Sequence, residues 1–311
     1  MSTARNIPSD RGLTVRMFTT GLMLVILYGA VVGLLIAFGV SYVVVLVLAA
    51  ALLFVQYWFS DKIALFGMGG HEVTAEQAPQ LHGVIDRLCA LADMKKPRVA
   101  IADTDVPNAF ATGRSPKTAV VCATTGLMRR LDESELEAVL AHELSHVAHR
   151  DVAVMTIASF LGVVAGLITR IMFWTGLMGG FGNDQGGNNN GNDNAALMEM
   201  VVLLVSVVVY AISFLLTRAL SRYRELAADR SGALLTGQPS ALASALVKVT
   251  GEMSRIPTRD LRAAESFNAF YFTPAIASKG VSLSTLFSTH PSLDQRLEQL
   301  ARIEAELGRP S

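Results

Sequence analysis

Four apolar runs of membrane-spanning length constrain this chain most: roughly Met17–Phe38, Ser41–Phe59, Val152–Thr169 and Leu197–Thr217. A helix needs about 20 mostly apolar residues to cross a bilayer, and each run meets or nearly meets that length. Composition agrees. The 311 residues are 51% hydrophobic and only 17% charged, where an average soluble domain carries about a quarter charged residues. The first run is too long, and too closely followed by the second, for a cleaved signal peptide. The third is the shortest and ends at Arg170, so a buried core helix is also plausible for it.

The basic residues give these runs a direction. Arg5, Arg11 and Arg16 precede the first run, Lys62 follows the second, and Arg218, Arg222 and Arg224 follow the fourth. The link near Gly39 and the tract from Leu177 to Asn194 carry no Lys or Arg. Positive residues mark the cytoplasmic side, so both termini are expected there, in a multi-pass protein of the cell membrane. The chain then divides into an N-terminal transmembrane hairpin (residues 1–60), a polar segment (61–151), a second hairpin (152–217) and a second polar segment (218–311). The tract at 179–194 is almost wholly Gly, Asn, Asp and Gln, a flexible outward-facing linker. Cys89 and Cys122 lie in no C-x-x-C pattern and are expected to be buried, reduced residues. The zero net charge, with no basic run beyond the span flanks, argues against nucleic acid as a partner.

Periodicity supplies the elements of the polar segments. Leu81, Val84, Ile85, Leu88 and Leu91 recur at helical spacing between about Thr74 and Met94. Pro97–Ala102 and Thr118–Ala123 are short, β-branched and bounded by turn residues, as strands are. A helix is expected over Glu133–Arg150, started by Asp132 and Glu135 as a capping box and packed through Leu136, Val139, Leu140, Leu144 and Val147. Further helices are expected over Arg222–Leu235, near Ser240–Met253 and from Leu293 to Leu307. The two polar segments together form a small α+β domain dominated by helices.

The helix from Glu133 carries His142-Glu143-Leu144-Ser145-His146. Residues four apart on a helix share one face, so both imidazoles can point at one ion while Glu143 reaches a water beside it. This is the His-Glu-x-x-His signature of zinc peptidases, with the glutamate as general base. Two histidines need a third ligand that leaves one position open. His149 shares the face but lies two turns from His142, about 10 Å along the axis, which is too far for a single ion on a straight helix. Glu225 is better placed, in a helix emerging from the fourth run, with Asp229 one turn on to orient an imidazole. Two crossings separate His146 from Glu225, and an even number returns the chain to the same side.

These residues, with Asn108–Gly113 and Ser288-Thr289-His290-Pro291 followed by Arg296, resemble the HtpX-type membrane metalloproteases, relatives of the CAAX prenyl proteases. The resemblance runs over nearly the whole chain. It implies a zincin-like metalloprotease domain combined with about four transmembrane helices. It also implies one zinc per chain on His142, His146 and Glu225, with Glu143 as base. Asn108, Ala109 and Phe110 would pair with substrate backbone as an added strand. His290 would stabilise the oxyanion with support from Arg296. Substrates would be polypeptides, above all membrane or misfolded proteins met at the bilayer, in membrane-protein quality control and stress response. Three other classes are weighed. An intramembrane protease would carry the pentad inside an apolar span, whereas here Asp132, Glu133, Glu135 and Glu137 precede it and Arg150-Asp151 follow. A CAAX-type processing protease shares the chemistry but has more spans around a large chamber. A non-catalytic scaffold or transporter would explain Glu199 within the fourth run but gives no reason for Glu143 beside both histidines.

Overall fold

The computed structural model describes residues 57–156, 158, 166, 192–253, 255 and 290–308, with scattered positions among residues 15–55. Two compact units divide the chain. One is built on Gln56–Val154 and Arg218–Ser311, the other on Thr19–Val55 and Met155–Thr217.

In order along the chain, the described elements are α1 (Ser60–Met68), β1 (Gly70–Glu72), α2 (Pro79–Ala92), β2 (Arg98–Ala102), β3 (Ala109–Thr112) and β4 (Val120–Thr124). Then come α3 (Thr125–Arg130), α4 (Glu133–Ala148), α5 (Asn192–Thr236), α6 (Pro239–Met253) and α7 (Leu293–Leu307). The protein is mostly helical around one small sheet. Helix α4 begins at the expected capping box. The Asp132 carboxylate accepts the Glu135 backbone N–H at 2.9 Å, and Glu135 in turn accepts the Asp132 N–H at 3.0 Å. Glu135 also accepts from Ser244 at 2.6 Å and pairs with Lys248, so the residue that starts α4 also ties α6 to it. The expected apolar face of α4 is buried against Leu81, Val84, Ile85 and Leu88 of α2 and Leu242, Leu246 and Val249 of α6.

Two boundaries differ from expectation for local reasons. Helix α4 stops at Ala148 because Arg150 turns left-handed, with φ 56. That conformation costs a non-glycine residue about 1–2 kcal/mol. Helix α2 ends at Ala92 with Asp93 also left-handed, and Leu91 is exposed while Cys89 takes the core position. Both cysteines are free and buried, and burial pushes their thiols up to about 11 for Cys89 and about 12 for Cys122.

The sheet has four strands in the order β1-β2-β4-β3, parallel between β2 and β4 and antiparallel at the other two pairings. Val99, Ala109, Val121 and Ala123 face the helical core. Ala100, Ala102, Phe110, Val120 and Cys122 face the other way and pack with Ala64 of α1. Cover on both faces is why all five residues of β4 are buried. The strands expected near residues 97–102 and 118–123 are β2 and β4, and β1 and β3 are additional.

Helix α5 is continuous over 45 residues and joins the fourth apolar run to the helix expected at Arg222–Leu235. Within it, Leu203–Thr236 is the one stretch among the described residues long and apolar enough to cross a membrane. The runs Met17–Phe38, Ser41–Phe59 and Val152–Thr169 lie largely outside the described residues, as does the tract at 179–194 up to the start of α5. Within the second unit, the Thr217 hydroxyl donates to the Ala158 carbonyl at 3.2 Å, a contact between the third and fourth runs.

Candidate metal centre

Helices α4 and α5 bring His142, His146 and Glu225 together. Their donor atoms all lie within 4.8 Å of one another. The two Nε2 atoms are 3.2 Å apart, and the Glu225 carboxylate approaches His142 Nε2 at 3.7 Å and His146 Nε2 at 3.5 Å. A tetrahedral zinc with bonds near 2.0–2.1 Å sets its donors about 3.3 Å apart, so the triangle has the right edge. The chemistry of the donors agrees. His142 Nδ1 is 2.8 Å from Asp229 and His146 Nδ1 is 2.5 Å from Asp151. With each Nδ1–H facing a carboxylate, each Nε2 is the nitrogen left to give a metal its lone pair. Two lone pairs and a carboxylate this close call for a cation among them. His149 is exposed at the end of α4 and takes no part in the cluster.

The close approach of α5 to α4 has a specific cause. A Cβ on Gly232 would stand 2.8 Å from the His142 backbone nitrogen and 3.1 Å from its Cα. Only glycine lets the backbones meet here, two turns after Glu225 and just past Asp229. The Asp229 carboxylate is fully buried and is held by Arg296 of α7, which donates from Nε to Oδ2 at 2.7 Å and from Nη2 to Oδ1 at 2.6 Å. Arg296, expected to support His290, thus forms a two-pronged pair with the carboxylate behind His142. His290 stands at the entry to α7 and donates from Nδ1 to Glu225 at 3.0 Å.

Glu143 faces the sheet side of the centre. Its carboxylate accepts a hydrogen bond from the Ala111 backbone N–H, and burial pushes its carboxyl up to about 8. Burial lowers the His142 pKa. At His146 burial works against the charged form, but the hydrogen bond and charge of Asp151, with Glu225 and Glu143 nearby, raise its pKa to about 9.

Strand β3 is the edge of the sheet beside this centre, and its register changes one expectation. Asn108 is fully buried, its N–H donates to Thr124 Oγ1, and its carbonyl accepts the Thr124 N–H, both at 2.9 Å. Asn108 is therefore bonded toward β4, and alternation along an antiparallel ladder turns Phe110 the same way. The backbone groups that face the open edge are those of Ala109 and Ala111. The Ala111 N–H bond to Glu143 fits that direction.

Four contributors escaped the sequence: Asp151, Arg224, Gly232 and Ala111. Arg224 was counted only as a charge beside the membrane, yet it pairs with Asp151 at 2.8 Å. Its position next to Glu225 was the available signal.

Comparison with known proteins gives concordant results. The chain matches the description "Peptidase family M48" over residues 75–304. It is 61% identical over 300 residues to Protease HtpX homolog 1 of Streptomyces coelicolor, covering 96% of this chain and 95% of that protein. It is 54% identical to the Protease HtpX homolog of Moorella thermoacetica, covering 97% and 98%, and 39% identical to that of Pyrococcus furiosus, covering 96% and 98%. Among solved structures, the crystal structure of S. mikatae Ste24p shares the fold, with a TM-score of 0.51 and 17% identity over 94% of this chain and 67% of that one.

Proposed function

The chain belongs to peptidase family M48, with the HtpX proteases, and we propose that it is a membrane-embedded zinc endopeptidase cutting membrane or misfolded proteins at the cytoplasmic face. It is a zinc metallopeptidase and its substrates are polypeptides. His142, His146 and Glu225 hold the metal, and the observation that carries this assignment is the convergence of their donor atoms. When bound there, zinc supplies a Lewis acid that brings the pKa of a water near neutrality.

The chain's own residues do the rest. Glu143 takes a proton from the attacking water onto its carboxylate and passes it to the leaving amine nitrogen. Burial, which favours its uncharged form, suits a carboxylate that must hold the proton between the two steps. Asp229, braced by Arg296, fixes the His142 ring so that Nε2 presents its lone pair. An extended polypeptide adds to the outer edge of β3 through the outward N–H and carbonyl of Ala109 and the carbonyl of Ala111, beside Glu143. His290 steadies the oxyanion. Its Nδ1–H bond to Glu225 fixes the ring, so that Nε2 is the nitrogen left to face the reacting carbonyl. The apolar stretch Leu203–Thr236 and the positive flanks support a bilayer location with the catalytic residues cytoplasmic. Membrane-protein quality control is the role that the resemblance to the HtpX proteases implies.

Metal analysis of Glu225→Ala tests the ligand set. Zinc content should fall markedly below one per chain, and unchanged content would remove Glu225 from the metal.

A further inference from the structure

We propose that Asp151, held by Arg224, is the positioning residue of His146, a second carboxylate–arginine brace matching the one that Asp229 and Arg296 give His142. The proposal rests on His146 being a zinc ligand. Three observations carry it. First, His146 Nδ1 donates to Asp151 Oδ2 at 2.5 Å, which leaves Nε2 as the metal-facing atom. Second, Asp151 is buried at 3% exposure although it stands where a polar segment gives way to an apolar run, and the Arg224 guanidinium supplies its charge partner at 2.8 Å. Third, the chain reaches this position only through the left-handed turn at Arg150, a residue with no glycine freedom at φ 56. A helix continued through residues 149–151 would carry Asp151 around the axis, away from the His146 face. The turn instead folds it back over the ring. Conformations that cost energy persist where the surrounding contacts require them.

The arrangement also links two ligands through one turn of α5. Arg224 and Glu225 are adjacent, so the segment that offers the third donor also holds the brace of the second. Displacing that turn would unseat Glu225 and loosen His146 together. The chemistry is positional: Asp151 fixes the imidazole tautomer and orientation, and its charge makes Nε2 a stronger donor.

The test uses the full chain in bilayer discs and zinc alone as the probe, with affinity measured by competition against a chromophoric chelator. Asp151→Asn is expected to weaken zinc binding about 10–100-fold, the usual effect of removing such a partner. That variant leaves Arg224 without its partner, so Asp151→Asn/Arg224→Gln is measured beside it. The double variant should regain the thermal midpoint of the zinc-free parent but not its zinc affinity, and Asp151→Glu should restore part of the affinity. Parent-like affinity in the double variant, or affinity that returns together with the midpoint, would overturn the positioning role. His146→Ala separates this from the ligand assignment. If it keeps parent-like affinity, the assignment falls and the inference with it. If it loses zinc while the Asp151 variants do not, the positioning role alone is wrong.

Discussion

The two imidazoles of the metal centre meet the same pair of groups, a carboxylate backed by an arginine, but the two arms are assembled differently. The arm behind His142 draws on three helices, with Asp229 from α5 and Arg296 from α7, and all of its side chains are at most 2% exposed. The arm behind His146 is local. Asp151 lies five residues along the same chain, and the side chains of His146, Asp151 and Arg224 are 13%, 5% and 10% exposed. The first arm therefore helps fix how α4, α5 and α7 pack, because its charges are satisfied only when all three are in place. The second depends on one turn at Arg150 and one residue of α5.

That contrast breaks most clearly under removal of each arginine. Arg296→Met leaves Asp229 fully buried without its cation, and the cost should approach the roughly 3–5 kcal/mol of breaking a buried pair. Arg224→Met removes a single bond to a charged group nearer solvent and should cost about 1.5–3 kcal/mol. Denaturant unfolding of the zinc-free variants measures both. Equal losses would show that the arms are equivalent.

A smaller effect is expected at the contact that brings α5 against α4. Gly232→Ala sets a Cβ against the His142 backbone, and overpacking of this kind costs about 1–3 kcal/mol. Because the strain falls on His142, zinc affinity should drop along with stability. The His146–Asp151 contact should be less disturbed, which nuclear magnetic resonance of the two ring nitrogens would report. A variant with parent-like stability would mean that the helices part without cost.

A pH-dependent effect separates Glu143 from both arms. Its folded pKa of about 8 lies above the ordinary 4.5, so burial favours the uncharged form. The stability this allows is complete below 4.5 and is lost as pH rises toward 8. Glu143→Gln is uncharged throughout and should raise the thermal midpoint of the zinc-free protein at pH 8. The gain should vanish near pH 4.5. A gain independent of pH would point to packing instead of charge.

The contrast between the arms also marks how far the sequence alone could be read. Signals confined to one stretch were plain. The capping box at Asp132 and Glu135 starts α4 where expected, the apolar face of that helix is buried as its spacing requires, and α7 runs from Leu293 to Leu307 as anticipated. The residues His142, His146, Glu225 and Asp229 were named in advance and stand together. What escaped depends on the chain's return upon itself. A glycine within a helix suggests weakness until another backbone is seen against it, as at Gly232. Arg296 faces Asp229 across 67 positions, and no local pattern reveals that pairing. Asp151 was hidden because periodicity continued the helix through Arg150, where the backbone turns left-handed instead. Strand β1 has three residues and α3 has six, too few for either period to register.

The central claim is that Glu143 moves the proton at a zinc centre it does not help to hold. The most direct measurement is degradation of a membrane-protein substrate by the purified full chain and by Glu143→Gln, with zinc determined on the same samples. The parent should cleave and should stop when a chelator is added, and the variant should carry one zinc per chain yet be nearly inactive. Cleavage by Glu143→Gln at the parent rate would contradict the mechanism.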